Sequence, residues 1–264
     1  MTQKELFQTA LRQSAIDLNC RPEDLTSGKK LVVHSAPHPA ARAYLKLPFS
    51  CNLVSYGGGV VASVSPETES VVTAYIQKYP VEHLFETPNL HVLDDALAPL
   101  GLRTCFMAEY FLPDLTALQP LACPYNLRLL EPAAFRHFYL PQWSNALSDK
   151  RPHLDMLAVG AFDGETLVGL AGCSADCETM WQIGIDVLPA YRKQGIAGAL
   201  TSRLAIEILK RGKVPFYCAA WCNLKSVRNA IRCGFRPAWV EMTAKSCQTV
   251  DEMNQIIPEE RKQT

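Results

Sequence analysis

The chain has 264 residues, 48% of them hydrophobic and 20% charged, with 26 basic residues balancing 26 acidic ones. That apolar share excludes a disordered chain, which lacks surface to bury, and the scattered Gly and Pro exclude a collagenous or low-complexity one. A pI near 7.0 excludes a general electrostatic grip on nucleic acid or on an anionic membrane, leaving only local charged pockets.

No window approaches the roughly 18 apolar residues of a membrane helix. The opening Met1–Phe7 carries no export signal, so a cytoplasmic protein is expected. The ten cysteines include no Cys-x-x-Cys pair, and the nearest spacings are Cys173/Cys177 and Cys218/Cys222. Reduced, buried thiols are therefore expected rather than disulfides. Neither these pairs nor the six histidines have ligand spacing, so no metal is expected.

Leu6, Ala10, Leu11, Ala15 and Leu18 form one stripe at helical spacing and predict a helix over Glu5–Leu18. Leu31–His34 reads as a strand, and Tyr44–Val64 as strand interrupted by the Gly57–Gly59 turn. Pro66 opens a helix that Pro80 stops, and a further helix over His91–Leu100 ends at Gly101. Pro113, Pro120 and Pro124, with no periodic apolar face between them, predict a linker. Then follow a strand at Leu127–Leu130 and one or two helices over Pro132–Leu147. Two strands, Leu157–Phe162 and Thr166–Ser174, flank Asp163-Gly164, a strong hairpin signal. Met180–Val187 is a strand, Gly195–Arg211 a helix, Pro215–Ala220 a strand, Ser226–Cys233 a helix and Pro237–Ala244 the last strand. The expected organisation is an accessory domain at 1–115, a linker at 116–124, a main domain at 125–250 and a polar tail at 251–264.

Chemistry concentrates in 183–200. A strand ends before Pro189, and a helix starts near Gly195. A helix start offers unpaired backbone N–H groups and the positive end of the dipole. Gly195 lets an anion approach the backbone, Ala197 and Gly198 keep the first turn narrow, and Arg192 and Lys193 add charge. Together they read as an anion cradle. No Gly-Lys-Ser/Thr follows, and Gly212 and Lys213 stand where a dinucleotide fold would place its ribose acid. A mononucleotide or CoA-type phosphate fits better than NAD.

Arg192-x-x-Gly195-x-Ala197 resembles the signature of the GCN5-related N-acetyltransferase (GNAT) superfamily, as do Val187-x-Pro189-x-Tyr191-Arg192 before it and the Asn223-x-x-Ser226 run leading to Gly234-Phe235. The likeness covers about 125–245 and is similar to two-domain bacterial members with an N-terminal accessory domain. It implies an α/β (α+β) fold: a mixed central sheet of the acyl-CoA acyltransferase type, preceded by a smaller α+β domain. It also implies acetyl-CoA as co-substrate, entering a V-shaped opening between strands 180–187 and 215–220. The backbones of Ile185 and Val187 would meet the pantetheine. Arg192, Lys193, Gln194, Gly195, Ile196, Ala197 and Gly198 would meet the pyrophosphate, and Asn223 and Ser226 the pantetheine or adenine side. For Asn223 a helix cap is the competing reading. The reaction implied is acyl transfer to a small-molecule or peptide amine by direct attack in a ternary complex; the alternative is a non-catalytic acyl-CoA-binding module.

The family's acid, a Tyr four residues before Gly-Phe, is replaced by Ala230, and Cys233 is a buried-thiol alternative. The thiolate is therefore expected to leave unassisted or to take its proton from water. Trp181 and Gln182 occupy the usual place of a base, so the candidate carboxylates are Glu178, Asp176 and then Asp186.

Overall fold

The computed structural model describes residues 1–255. In chain order it contains α1 (Gln3–Leu18), β1 (Lys30–His34), β2 (Cys51–Ser55), β3 (Val60–Val64), α2 (Glu69–Lys78), α3 (Thr87–Leu97) and β4 (Leu102–Pro113). There follow β5 (Asn126–Leu130), a single turn α4 (Pro132–Phe135), β6 (Asp155–Asp163), β7 (Thr166–Ser174) and β8 (Met180–Val187). Then come α5 (Ile196–Lys210), β9 (Val214–Ala220), α6 (Leu224–Arg232), β10 (Phe235–Ser246) and α7 (Cys247–Gln255). No helix among the described residues is long and apolar enough to cross a membrane.

Most elements form where the apolar period puts them. The α1 stripe Leu6, Ala10, Leu11, Ala15 and Leu18 is buried throughout. The differences from expectation have local causes. The one or two helices expected over 132–147, with a break at Pro141, shrink to α4 and short 3-10 turns, one of which begins at Pro141. Residues 251–255 belong to α7, and the rest of the expected tail lies outside the described residues. The strand β4 has no counterpart in the sequence reading.

The chain divides into two compact units, one of residues 1–13, 40–44 and 109–238, the other of 14–39, 45–108 and from 239 onward. This division does not fall at 116–124. That stretch is part of the first unit, where Leu118, Leu121 and Cys123 pack on its core and the Leu121 amide donates to Ser202 Oγ at 3.2 Å. Proline-rich chain followed by apolar side chains at short spacing is held by burial rather than left as a tether. Both β4 and β10 begin in one unit and end in the other.

In the first unit the strand order is β4-β9-β8-β7-β6-β5. The strands β5 to β8 pair antiparallel, and β8 pairs parallel with β9. A core of Leu157, Val159, Ala171, Cys173, Trp181 and Ile183 packs against Ile196, Leu200 and Leu204 of α5. Alternate residues, among them Ala158 and Phe162, pack with Phe135, Trp143 and Leu147 in a separate cluster, as the two-residue period of a strand requires. In the second unit the order is β1-β3-β2-β10-β4, with a core of Leu53, Val60, Ala62, Val72, Ile76, Leu84 and Leu93. The fold is α/β with mixed strand pairing.

Candidate functional site

The parallel pairing of β8 with β9 runs through Met180↔Val214, Trp181↔Pro215 and Gln182↔Phe216 and then stops. From Gln182 to Val187, β8 keeps its antiparallel ladder with β7. Beyond Gln182 the two parallel strands therefore diverge, and the backbone of 183–187 faces a gap on the β9 side. Backbone groups without a ladder partner must find another acceptor or donor. Ile185 and Val187 lie on this stretch, half-buried.

The chain then turns from Leu188 into α5, and several side chains fix the turn. Arg192 Nε donates to the Val187 carbonyl at 3.1 Å. The Tyr191 hydroxyl donates to Asp163 Oδ2 at 3.1 Å, and the Tyr125 hydroxyl donates to Gln194 Oε1 at 2.8 Å. Lys193 (φ 66°) and Gly195 (φ 82°) both adopt left-handed backbone. For a residue with a Cβ this conformation costs roughly 1–2 kcal/mol, and such strain clusters at ligand sites. Gly195 is the N-cap of α5, and no side chain caps that helix. The first-turn amides of Ile196, Ala197 and Gly198 thus form a concave donor set at the positive end of the helix dipole. Room exists there: a Cβ placed on Gly195 would come no nearer than 3.9 Å to another group, the Arg232 guanidinium. Arg232 is a neighbour of the turn that the motif did not disclose. Its signal was only its place two residues before Gly234.

Asn223 caps α6: its Oδ1 accepts from the Ser226 amide at 3.3 Å. The Ser226 hydroxyl stands 2.7 Å from the Tyr217 hydroxyl. Ala230 is fully buried. Burial pushes the Cys233 thiol up to about 12, and it donates to the Gly198 carbonyl at 3.3 Å, tying α6 to the first turn of α5. Trp181 belongs to the core, whereas Trp221 is 47% exposed after β9.

The carboxylates fall elsewhere. Glu178 is exposed on the turn before β8. Asp176 on the same turn is buried and ion-paired with Arg151, while its Oδ2 has no partner. Both precede Met180 and so lie at the paired end of β8 and β9, not where the strands diverge. Asp186 holds a strap over the sheet, accepting from the Asn145 and Ala146 amides at 2.9 and 3.0 Å and from the Asn145 side chain at 2.6 Å. The strap lies so close that a Cβ on Gly184 would collide with the Asn145 carbonyl, and one on Gly172 with that of Ala146. Asp155 anchors the strap's other end, accepting from the Tyr139 hydroxyl at 3.0 Å and the Ser148 amide at 2.8 Å. Burial leads in pushing its carboxyl up to about 6.

A parallel pair that opens beyond three rungs, leading into a strained, uncapped helix start, agrees with a match over residues 117–235 to the model of the acetyltransferase (GNAT) family. The match covers a little under half of the chain. No curated protein matches the chain. Among solved structures, a GCN5-related N-acetyltransferase-like protein from Streptococcus suis 89/1591 aligns at 20% identity and TM-score 0.44, over 60% of this chain and 69% of its own. A GCN5-related N-acetyltransferase from Kribbella flavida aligns at 14% and 0.45, over 60% of this chain and 65% of its own. A GNAT-family acetyltransferase from Colwellia psychrerythraea aligns at 16% and 0.42, over 70% and 76%. The matched residues lie within the first unit.

Proposed function

We propose that the protein is an N-acyltransferase that moves acetyl from acetyl-CoA to an amine by direct attack. The observation that carries this reading is the α5 start. Gly195 and Lys193 hold left-handed backbone with no capping side chain, directly after a strand whose partner has diverged, within the residues that match the GNAT family model. Strain retained at an uncapped helix start is well explained by an anion that completes it.

In this reading the amides of Ile196, Ala197 and Gly198 take the pyrophosphate, with Lys193, Gln194 and Arg232 around it. The pantetheine lies along Ile185 and Val187 in the gap. Arg192 would have to release the Val187 carbonyl for that carbonyl to serve the pantetheine. Asn223 acts through the order it gives to the start of α6. Positioning of amine and thioester supplies most of the rate, and the strand backbone beside the gap polarises the carbonyl. The ammonium loses its proton to solvent before attack.

Isothermal calorimetry with acetyl-CoA tests the reading. A saturable one-to-one isotherm, with release of free CoA on adding an amine panel, is expected. Absence of any acetyl-CoA binding would overturn it. Chromatographic detection of CoA is preferable to a thiol reagent, because the chain carries ten free cysteines of its own.

A further inference from the structure

We infer that Tyr217 is the group that protonates the departing CoA sulfur, a phenol supplied by β9 in place of the one that α6 lacks at Ala230. The inference rests on the acyltransferase reading above.

Tyr217 follows Phe216, whose pairing with Gln182 is the last rung between β8 and β9. Its side chain therefore leaves the strand where the gap begins. It packs in one cluster with Ile196 of α5 and with Ala230 and Cys233 at the far end of α6. Its hydroxyl reaches Ser226 Oγ at 2.7 Å. Ser226 and Ala230 are four residues apart on α6, hence neighbours on one helix face. The phenol from β9 thus arrives at the same face of α6 that Ala230 leaves without a functional group.

The surroundings suit a donor. Burial raises the Tyr217 phenol above its ordinary range, so at neutral pH it holds the proton it is to give. Its titratable neighbours are the thiols of Cys218 on its own strand and Cys233 on α6. Cys233 is committed to the Gly198 carbonyl. Asn229 of α6 bonds onward to Thr201 of α5 at 3.0 Å. Phe111 of β4 and Phe235 of β10 pack beside its ring, with centroids at 6.5 and 6.2 Å. Ser226 is half-buried, which gives the phenol a hydroxyl route to solvent.

The step balances without a further reactant. The neutral amine forms the N–C bond, the C–S bond breaks with its electron pair going to sulfur, and sulfur takes the Tyr217 proton. The phenolate regains a proton from water through Ser226, and the proton lost by the ammonium ends in solvent.

Calorimetry of CoA and of acetyl-CoA, at pH 7 and pH 9.5, tests this without any acceptor. An ordinary thiol has a pKa near 8.5, so at about pH 9.5 CoA is mostly thiolate. A hydrogen bond to a charged partner is worth roughly a tenfold change in binding. Tyr217→Phe is therefore expected to lose about tenfold in CoA affinity at pH 9.5, and less than about threefold in acetyl-CoA affinity at either pH. Ser226→Ala, which leaves the ring packing untouched, is expected to show the same CoA-only loss, smaller in size, and serves if Tyr217→Phe melts too low to assay. Equal losses for both ligands, or none for either, would overturn the role of Tyr217 while leaving the acyltransferase reading intact. Failure of the parent protein to bind either ligand would overturn both.

Discussion

Gly184 and Gly195 stand eleven positions apart, and each is glycine for a different physical reason. At Gly184 the backbone is ordinary strand, but the strap carbonyl of Asn145 occupies the place of a side chain. At Gly195 the space is open, and the backbone itself, at φ 82°, is what a side chain disfavours. One glycine serves packing of the fold and the other serves an approach from outside. A substitution at each should therefore fail in a different assay.

The largest effect is expected for Gly184→Ala. The new Cβ must displace the strap, and overpacking of this kind costs about 3 kcal/mol. Thermal melting should fall by roughly 5–10 °C, and an unchanged melting point would mean that the strap moves freely and that the contrast with Gly195 is false. Gly195→Val should do the opposite. Stability should drop by about 1–2 kcal/mol from the left-handed backbone, while acetyl-CoA affinity falls more than about tenfold because the side chain stands over the first-turn amides. Calorimetry that finds parental affinity would remove the anion role of the turn.

Asp155→Asn sharpens the strap side through pH. The native carboxyl sits near 6 and the unfolded one near 3.8, so the native state binds the proton more tightly. Stability from this group is thus present at low pH and is lost as pH rises through about 6, amounting to about 3 kcal/mol for a shift of this size. Tyr139, Arg151 and Asp176 share the environment, and the first two favour the ionised form. Relative to the parent, Asp155→Asn should melt progressively higher as pH is raised from 4 to 7. A difference that does not vary with pH would show that burial is not setting this carboxyl. The smallest effect belongs to Arg192→Ala. Its exposed guanidinium is screened by water, so acetyl-CoA affinity should change less than about threefold, and a loss as large as that of Gly195→Val would place the decisive contact on charge instead of backbone.

Local features were legible in the sequence and long-range ones were not. The strands Thr166–Ser174 and Met180–Val187 were read at their observed bounds, because Asp-Gly and Pro189 punctuate uninterrupted apolar runs. The helix after Gly195 was legible for the same reason. Residue spacing could not show that Asp186 holds amides 40 and 41 positions earlier, nor that Tyr217 bonds to Ser226 on the following helix. The strand β4 went unread because its charged and polar residues Arg103, Thr104 and Glu109 blur the alternation. It becomes intelligible only beside β9, a partner that lies about a hundred residues further along the chain.

The interleaving of the two units carries a consequence for biosynthesis. Residues 1–13 belong with residues 109–238, yet the ribosome makes them first. At about 5–20 residues per second, the start of α1 waits roughly 10–50 seconds for the last part of its unit to be made. During that interval Leu6, Ala10 and Leu11, all buried in the folded protein, await most of the residues assigned to their unit. The nascent chain is therefore a natural client for a holdase, and synonymous codon changes that slow translation between 109 and 238 should lower the yield of folded protein more than the same changes placed after 239.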